Sequence, residues 1–282
     1  IGPNDIEIAL VSIESNTGLI RTMITSKNPL INEYNRVTSA IRPLGSTFKI
    51  IPYAAALIDG IKLSSQFEDL PTCWESYCPK NFSENYLGKI SLKESFKTSS
   101  NIVPLKITND IGLKKIINLA NLFGLGYKQK LEEFLPLAIG SYGDTLLNIT
   151  NAYAVLNSNG NLYKPSILEK IESNDDELIW ENKFFYEKIL DPKVNRNLNN
   201  LLDKSVSEGT SIAASIEGKK IYGKTGTSDG NKDLWFIGSI NNLTSGVWIG
   251  FDENKKSNLS SGNAAYFWKK YIIKIFELKI QI

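Results

Sequence analysis

The distribution of strand-like and helix-like segments along the chain constrains the fold most strongly. At the amino-terminal end, DIEIALVSIE and LIRTMIT flank the turn SNTG and predict a β-hairpin. At the other end, KKIYGKTGTS, DLWFIGSI and SGVWIGFDE are short, rich in aromatic and β-branched residues, and separated by Gly, Asn and Asp turns. Segments with helical spacing lie between these two groups. The sequence therefore predicts an α/β (α+β) fold whose single sheet takes two strands from the amino terminus and three from the carboxyl terminus.

The middle of the chain carries recognisable helix boundaries. STFKIIPYAAALIDG is predicted to be a helix that ends at Gly60, with Pro52 producing a kink after the first turn. Ser91 and Glu94 have capping-box spacing, and Asp191 is a predicted N-cap followed by proline. Further predicted helices are GLKKIINLANLFG, TLLNITNAYAVLNSNG and the closing AAYFWKKYIIKIFELKI, whose Trp268, Ile272, Ile275 and Phe276 are expected to pack on the sheet.

The remaining segments complete the predicted layout. SILEKIESNDDELIW is expected to form a hairpin, and residues 61–89 are expected to be irregular. The 282 residues are long enough to bury a full core. We expect one domain, residues 1–282, with a sheet lobe (1–45 and 207–282) and a mostly helical lobe (46–206). A cleft between two such lobes is a common place for an active site.

Composition excludes several classes of function. The chain contains no histidine, which rules out Ser-His-Asp and Cys-His catalysis and histidine metal ligands. Its formal net charge is only +2, so charge gives no case for nucleic-acid binding. No stretch reaches the roughly 18 apolar residues of a membrane span, and Ile1 does not begin a signal-peptide layout. The abrupt start in a strand suggests an excised domain, and we expect neither a metal nor a cofactor.

The two cysteines, Cys73 and Cys78, lie in the loop-like stretch PTCWESYCPKNF. Two cysteines cannot make a four-ligand zinc site by themselves. They could form a short disulfide in an oxidising compartment or remain free thiols in a surface loop, and the sequence leaves both possibilities open. A catalytic cysteine is not expected, since no neighbouring residue would stabilise a thiolate.

Ser46 and Lys49 form the one S-x-x-K motif of the chain. Residues three apart share a helix face, so the hydroxyl and the amine can meet. A serine in the first helical turn also has a free backbone N–H and the positive end of the helix dipole close to a developing oxyanion. An ordinary lysine is protonated at neutral pH, but burial and a neighbouring cation would lower its pKa enough to make it a base. Taken alone, a capping serine with a solvated lysine is the commoner explanation.

Lys224-Thr225-Gly226-Thr227 contains the one K-T-G of the chain and lies on a predicted strand. Lys224 could supply the cation that lowers the pKa of Lys49. The threonine hydroxyls could hold a substrate carboxylate, and Gly226 could leave room for a substrate backbone. A strand that ends in a glycine turn would explain the same residues.

Ser99-Ser100-Asn101 follows the helix that begins at Ser91 and supplies a hydroxyl and an amide. The S-x-N pattern is weak because it recurs elsewhere in the chain, with Ser83-Glu84-Asn85 as the main competitor. Ser99 is favoured by its position at a helix end, between the other two motifs. Each of the three motifs has an ordinary explanation when taken alone. Their occurrence together, in this order, indicates an active site.

The pairing of S-x-x-K with K-T-G is characteristic of penicillin-binding proteins and serine β-lactamases. Three longer stretches resemble the transpeptidase domain of class A, bifunctional penicillin-binding proteins: EYNRVTSAIRPLGSTFKIIPYAAAL, LAIGSYGDTLLNITNAYAVLNSNG and GKTGTSDGNKDLWFIGSINNLTSGVWIGFD. The resemblance implies the penicillin-binding-protein/serine β-lactamase-like fold, a five-stranded antiparallel sheet flanked by helices with an inserted helical lobe. The chain departs from the family in one motif, since Ile50 and Ile51 separate Lys49 from the proline that usually follows it.

The resemblance implies a D,D-transpeptidase that cross-links peptidoglycan at the extracytoplasmic face of the bacterial inner membrane, with D,D-carboxypeptidase activity as a second reaction open to the same acyl-enzyme. Ser46 would attack the penultimate D-Ala carbonyl of a donor stem peptide, and the amine of an acceptor stem peptide would take the acyl group. Lys49 would be the general base, Ser99 would relay protons to the leaving group, and Asn101 would position Lys49 and the substrate amide. β-Lactams would acylate the same serine.

The resemblance assigns the remaining roles to the K-T-G strand. Lys224 would supply positive charge, and Thr225 and Thr227 would bind the terminal carboxylate next to Gly226. The backbone N–H groups of Ser46 and Thr227 would form the oxyanion hole. The glycosyltransferase domain and membrane anchor of such proteins are not part of this chain and are expected in the full-length protein.

Other functions for the same fold are a class D-like β-lactamase, a β-lactam sensor domain and a non-catalytic scaffold. Class D enzymes often carry the same S-T-F-K tetrad but usually have S-x-V in place of Ser99-Ser100-Asn101. A sensor would not turn over peptides ending in D-Ala. Intact Ser46, Lys49 and Lys224 argue against a scaffold.

Overall fold

The structure is a computed structural model that describes residues 6–26, 28, 34–82 and 84–280. Its strands are β1 (Glu7–Glu14), β2 (Ile20–Ile24), β3 (Arg42–Pro43), β4 (Gln66–Asp69), β5 (Gly88–Ser91), β6 (Gly143–Asp144), β7 (Asn161–Tyr163), β8 (Lys170–Glu172), β9 (Leu178–Glu181), β10 (Tyr186–Lys188), β11 (Tyr222–Thr227), β12 (Asp233–Ile240) and β13 (Leu243–Gly250). Its α-helices are α1 (Ile50–Ile58), α2 (Leu92–Lys97), α3 (Ile102–Ile111), α4 (Leu113–Leu122), α5 (Leu146–Asn157), α6 (Pro192–Ser207) and α7 (Ser261–Glu277). Short 3₁₀ helices cover Gly45–Lys49, Leu135–Ile139, Ile212–Ala214 and Asp229–Asn231.

The central sheet has five strands in the order β11-β12-β13-β1-β2, and every neighbouring pair is antiparallel. The first and last strands meet where β1 pairs with β13, with Val11 opposite Gly246. The predicted five-stranded antiparallel sheet built from both ends of the chain is confirmed. β11, which carries the K-T-G motif, is an edge strand of this sheet.

Helices cover both faces of the sheet because alternate residues of each strand point to opposite sides. On one face, Phe236 packs against Trp268 of α7, with ring centroids 5.2 Å apart. On the other, Ile237 joins the core that contains α1 and α5. The expectation for α7 is confirmed, since Trp268, Ile272 and Ile275 are buried against the sheet and Phe276 packs partly buried beside them.

Side-chain caps begin several of the predicted helices. The Ser91 hydroxyl accepts a hydrogen bond from the Glu94 amide at 3.1 Å, which confirms the predicted start of α2. The Asp191 carboxylate accepts one from the Lys193 amide at 2.7 Å and starts α6. The hairpin predicted in SILEKIESNDDELIW is formed by β8 and β9. These ends follow from short-range hydrogen bonds that a sequence can reveal.

Several features differ from the sequence predictions or add to them, three of which bear on the site. Residues 61–89 are not irregular throughout, because they contain β4, which pairs with β5 at their end. The first turn of the predicted Ser46 helix is a 3₁₀ helix, so α1 begins only at Ile50. Helix α3 was not predicted, and it contains Pro104. Pro104 is the third residue of α3, where its missing N–H leaves no helical hydrogen bond unmade.

Cys73 and Cys78 form a disulfide, with their Cα atoms 4.2 Å apart. The sequence alone left this possibility and two free thiols equally open. The bond closes a small loop between β4 and β5. Across the described part of the chain, no helix is both long enough and apolar enough to cross a bilayer.

Candidate active site

The 3₁₀ helix Gly45–Lys49, called here the nucleophile turn, is held in place by the chain around Gly140. The Gly45 amide donates a hydrogen bond to the Gly140 carbonyl at 2.9 Å, and the Leu44 amide donates one to the Tyr142 carbonyl at 3.0 Å. In a 3₁₀ helix, residues three apart lie directly above one another. The turn therefore places Ser46 and Lys49 on one face, with Ser46 partly exposed and Lys49 fully buried.

Lys49 is held by the S-x-N motif. Its Nζ donates hydrogen bonds to the Ser99 carbonyl oxygen at 2.7 Å, to Asn101 Oδ1 at 2.7 Å and to Ser99 Oγ at 3.4 Å. None of these bonds reaches Ser46, so the hydroxyl of Ser46 is one turn away from the amine without being bound to it. Burial, and then the positive charge of nearby Lys224, hold the pKa of Lys49 well below its ordinary value.

Lys224 of β11 also binds Ser99. Its Nζ donates hydrogen bonds to Ser99 Oγ at 2.9 Å, to the Thr225 carbonyl at 3.2 Å and to Thr210 Oγ1 at 3.5 Å. Burial lowers the pKa of Lys224 to about 7. The hydroxyl of Ser99 thus lies between two buried amines from distant parts of the sequence. Such an arrangement can pass a proton from one amine towards a group bound beside the other.

Two glycines allow β11 and the nucleophile turn to touch through their backbones. A Cβ atom on Gly226 would lie 2.7 Å from both the Leu44 carbonyl oxygen and Thr47 Cγ2. A Cβ on Gly45 would lie 2.4 Å from the Thr227 carbonyl oxygen, and Gly45 has a φ of +53°. The protein itself therefore fills the space that Gly226 leaves, whereas the sequence suggested a substrate backbone there. The contact brings the Ser46 and Thr227 segments side by side.

The two threonines of the K-T-G-T segment lie in different surroundings. Thr225 is buried, and its hydroxyl bonds to Thr210 Oγ1 at 3.3 Å and to Ser211 Oγ at 3.4 Å. Thr227 is partly exposed at the end of β11. Thr227 is consequently the more accessible of the two, and the exposed Thr210 stands beside Lys224 and Thr225.

Sequence reasoning missed Thr210 and the residues behind Asn101. The Asn101 amide donates a hydrogen bond to Asn81 Oδ1 at 2.8 Å, and its Nδ2 donates one to the Lys80 carbonyl at 2.7 Å. Both partners come from the loop predicted to be irregular, where no local pattern marks them. Of the competing motif Ser83-Glu84-Asn85, Ser83 lies outside the described residues.

Known proteins similar to this chain share both its sequence pattern and its fold. The family model described as the penicillin binding protein transpeptidase domain matches residues 8–265. The penicillin-binding protein 1A of Aquifex aeolicus is 31% identical over 257 residues, which cover 89% of this chain and 35% of that protein. The chain thus spans about a third of the length of the curated relatives it matches.

Solved structures support the same architecture. The crystal structure of penicillin-binding protein 1A from Haemophilus influenzae superposes with a TM-score of 0.88 at 24% identity, covering 99% of this chain and 48% of that one. PonA1 from Mycobacterium tuberculosis in complex with penicillin V superposes with a TM-score of 0.87 at 20% identity, covering 96% and 78%. At these identities the superpositions establish the fold.

Proposed function

Because this chain belongs to the penicillin-binding protein transpeptidase family, we propose that it is a serine D,D-transpeptidase that cross-links peptidoglycan stem peptides and is acylated by β-lactams. One observation carries the proposal. Two buried lysines, Lys49 and Lys224, converge on Ser99 beside the turn that presents Ser46. A chain without histidine needs another base, and a buried lysine beside a second cation supplies one.

In the proposed acylation step, the neutral amine of Lys49 takes the proton of Ser46 as Oγ attacks the penultimate D-Ala carbonyl of a donor peptide. The backbone N–H groups of Ser46 and Thr227 stabilise the oxyanion. The C–N bond to the last D-Ala then breaks, and its amine receives the proton through Ser99. The acyl-enzyme passes its acyl group to the amine of an acceptor stem peptide, and hydrolysis of the same intermediate would be carboxypeptidase activity.

The terminal carboxylate of the donor is proposed to bind at the end of β11. Lys224 supplies a positive charge that low local dielectric strengthens, and Thr227 offers a partly exposed hydroxyl at the end of the same strand. The hydroxyl of Thr225 is bonded to Thr210, so we assign Thr225 to supporting this end of the strand as well as to the carboxylate. Asn101, whose side-chain oxygen is held by Lys49, is assigned to the substrate amide.

We further propose an extracytoplasmic location and a larger parent protein. The Cys73–Cys78 disulfide favours an oxidising compartment. Since the curated relatives are about three times as long as the matched region, we propose that a glycosyltransferase domain and a membrane anchor belong to the full-length protein. Residues 1–282 would then be its single transpeptidase domain, with a sheet lobe (1–45 and 207–282) and a mostly helical lobe (46–206).

The lifetime of a penicillin adduct tests this function against the β-lactamase alternative. We expect a fluorescent penicillin to label the protein covalently and stoichiometrically, and the adduct to persist while a D-Ala-D-Ala stem peptide loses D-Ala to an added amine acceptor. The measurements are gel fluorescence after removal of free penicillin and the release of free D-Ala. Rapid loss of the label with hydrolysed penicillin would identify a β-lactamase. A stable label without any D-Ala release would identify a sensor.

A further inference from the structure

Ser99 adopts a backbone conformation that few residues other than glycine adopt. Its φ is +58°, in the left-handed region. Both of its oxygen atoms are bound to lysine amines, the carbonyl to Lys49 and the hydroxyl to Lys224. A strained conformation of this kind persists only where neighbouring contacts hold it. Those contacts therefore decide where the two acceptors lie relative to the lysines.

Asp69, the last residue of β4, is 1% exposed and anchors the turn through Ser100. Ser100 Oγ donates a hydrogen bond of 2.6 Å to the Asp69 carboxylate. The same oxygen accepts hydrogen bonds from the amides of Ile102 at 3.1 Å and Val103 at 3.3 Å. Asp69 thus fixes the residue between Ser99 and Asn101 and, through it, the start of α3. Hydrogen bonds to an ionised buried carboxylate are among the strongest in proteins.

Asn81 holds the other end of the turn and is itself held by Asp69. Its Nδ2 donates to the two Asp69 carboxylate oxygens at 3.0 and 3.1 Å. Its Oδ1 accepts the Asn101 amide at 2.8 Å. The neighbouring Lys80 carbonyl accepts Asn101 Nδ2 at 2.7 Å, which leaves Asn101 Oδ1 pointing at Lys49. The Cys73–Cys78 disulfide closes the loop between the two anchors.

We propose that Asp69 and Asn81 are positioning residues of the active site, which hold the Ser99–Asn101 turn so that its oxygen atoms receive the amines of Lys49 and Lys224. The inference rests on the proposed acylation of Ser46. Neither residue contacts the nucleophile turn through a hydrogen bond among the described residues, so each acts through the S-x-N turn. Both therefore act on the geometry of the site, and Asp69 also acts through its charge.

The charge of Asp69 gives the proposal a distinctive signature. The charged groups that act on Lys49 are Lys224 from β11, which lowers its pKa, and Asp69 from β4, which raises it. Tyr53 of α1 also lies near Asp69, and burial raises its pKa far above the working range. Acylation requires unprotonated Lys49, so its rate falls as pH drops through the pKa of this amine. Removing the charge of Asp69 therefore lowers the pKa of Lys49 further. In a plot of acylation rate against pH, the fall in rate on the acid side then moves to lower pH.

The experiment measures the second-order rate of penicillin acylation against pH, together with the final labelled fraction, for wild type, Asp69→Asn and Glu68→Gln. Glu68 lies on the same strand with a largely exposed carboxylate and loses the same charge without touching the turn. We expect Asp69→Asn to acylate about 100-fold more slowly, as a displaced catalytic contact does. Its final labelling should be complete and its acid limb shifted to lower pH, whereas Glu68→Gln should match wild type.

The variant Ser100→Ala separates the positioning of the Ser99–Asn101 turn from the charge of Asp69. It removes the 2.6 Å anchor but leaves the carboxylate of Asp69 in the protein, so we expect slower acylation with an unshifted acid limb of the pH–rate profile. If Asp69→Asn does not fold, Ser100→Ala decides the matter. A wild-type rate in a folded Asp69→Asn or Ser100→Ala protein would overturn the inference, as would a slow Asp69→Asn protein whose acid limb stays in place. Failure of wild type itself to be acylated would instead refute the proposed function.

Discussion

Replacing Lys49 by methionine is expected to slow penicillin acylation by about 10³-fold while leaving the protein folded. General-base catalysis by a positioned side chain contributes about 10² to 10⁴-fold, and a chain without histidine offers no substitute at this position. Methionine fills a buried lysine site with similar volume and without an ionisable group. The effect is measured as the rate of acylation by a fluorescent penicillin, from labelling reactions that are quenched at successive times.

Lys49→Arg distinguishes a base from a simple cation. Arginine keeps the positive charge at every accessible pH and cannot accept the proton of Ser46. We expect it to be as slow as Lys49→Met, and we expect Lys115→Met, on the exposed side of α4, to behave as wild type. Near-normal acylation by Lys49→Arg would show that the charge of this residue, rather than its basicity, drives the reaction.

Gly226→Ala is expected to have the second large effect, because its methyl group enters the backbone contact between β11 and the nucleophile turn. The added Cβ would meet the Leu44 carbonyl oxygen and Thr47 Cγ2 at 2.7 Å, a separation that Cβ atoms in proteins essentially never show. Relief of this overlap must move Thr227 away from Ser46, and an oxyanion-hole donor moved in this way costs about 10²-fold or more in rate. Overpacking should also lower the free energy of unfolding by about 1–3 kcal/mol.

Gly262→Ala provides the matched control. Gly262 lies in the first turn of α7, and its nearest neighbour to an added Cβ is Ser260 Oγ at 3.3 Å. The same glycine-to-alanine change there leaves the site untouched, so acylation should equal that of wild type. Urea denaturation gives the stability of both variants, and labelling gives the rate. Unchanged acylation by Gly226→Ala would mean that the strand and the turn can separate without loss of the oxyanion hole.

The sheet could be predicted from the sequence because its signals are local. Alternating β-branched and aromatic residues separated by Gly and Asn turns located β1, β2 and the three carboxyl-terminal strands. Caps at Ser91 and Asp191 fixed helix starts for the same reason. Helix α3 was not predicted, and no side-chain cap of this kind from its N-cap residue marks its start.

The candidate site could be predicted only as far as motifs mark it. Ser46, Lys49, Ser99 and Lys224 were found from their order along the chain, and the structure brings the two lysines together at Ser99. Asp69 was not found, because a buried carboxylate in an apparently irregular loop has no local signature. Its partners lie 12 and 31 residues away in the chain, and the burial that gives such contacts their strength exists only after folding.

The same limit applies to Thr210 and to the two cysteines. Thr210 contacts Lys224 and Thr225 only because α6 returns the chain to β11. The spacing of Cys73 and Cys78 permits a bond but does not require one, and the structure forms it beside the anchors of the Ser99 turn. Long-range proximity, rather than residue type, decides both cases.

The most direct test of Ser46 as the nucleophile is the intact mass of the protein after incubation with penicillin, for wild type and Ser46→Ala. Ring opening by a serine hydroxyl adds the whole mass of the antibiotic, so wild type should gain one such adduct per chain, located on the peptide that contains Ser46. Ser46→Ala should fold normally and gain none. An adduct of the same mass and yield on Ser46→Ala would contradict the assignment of Ser46.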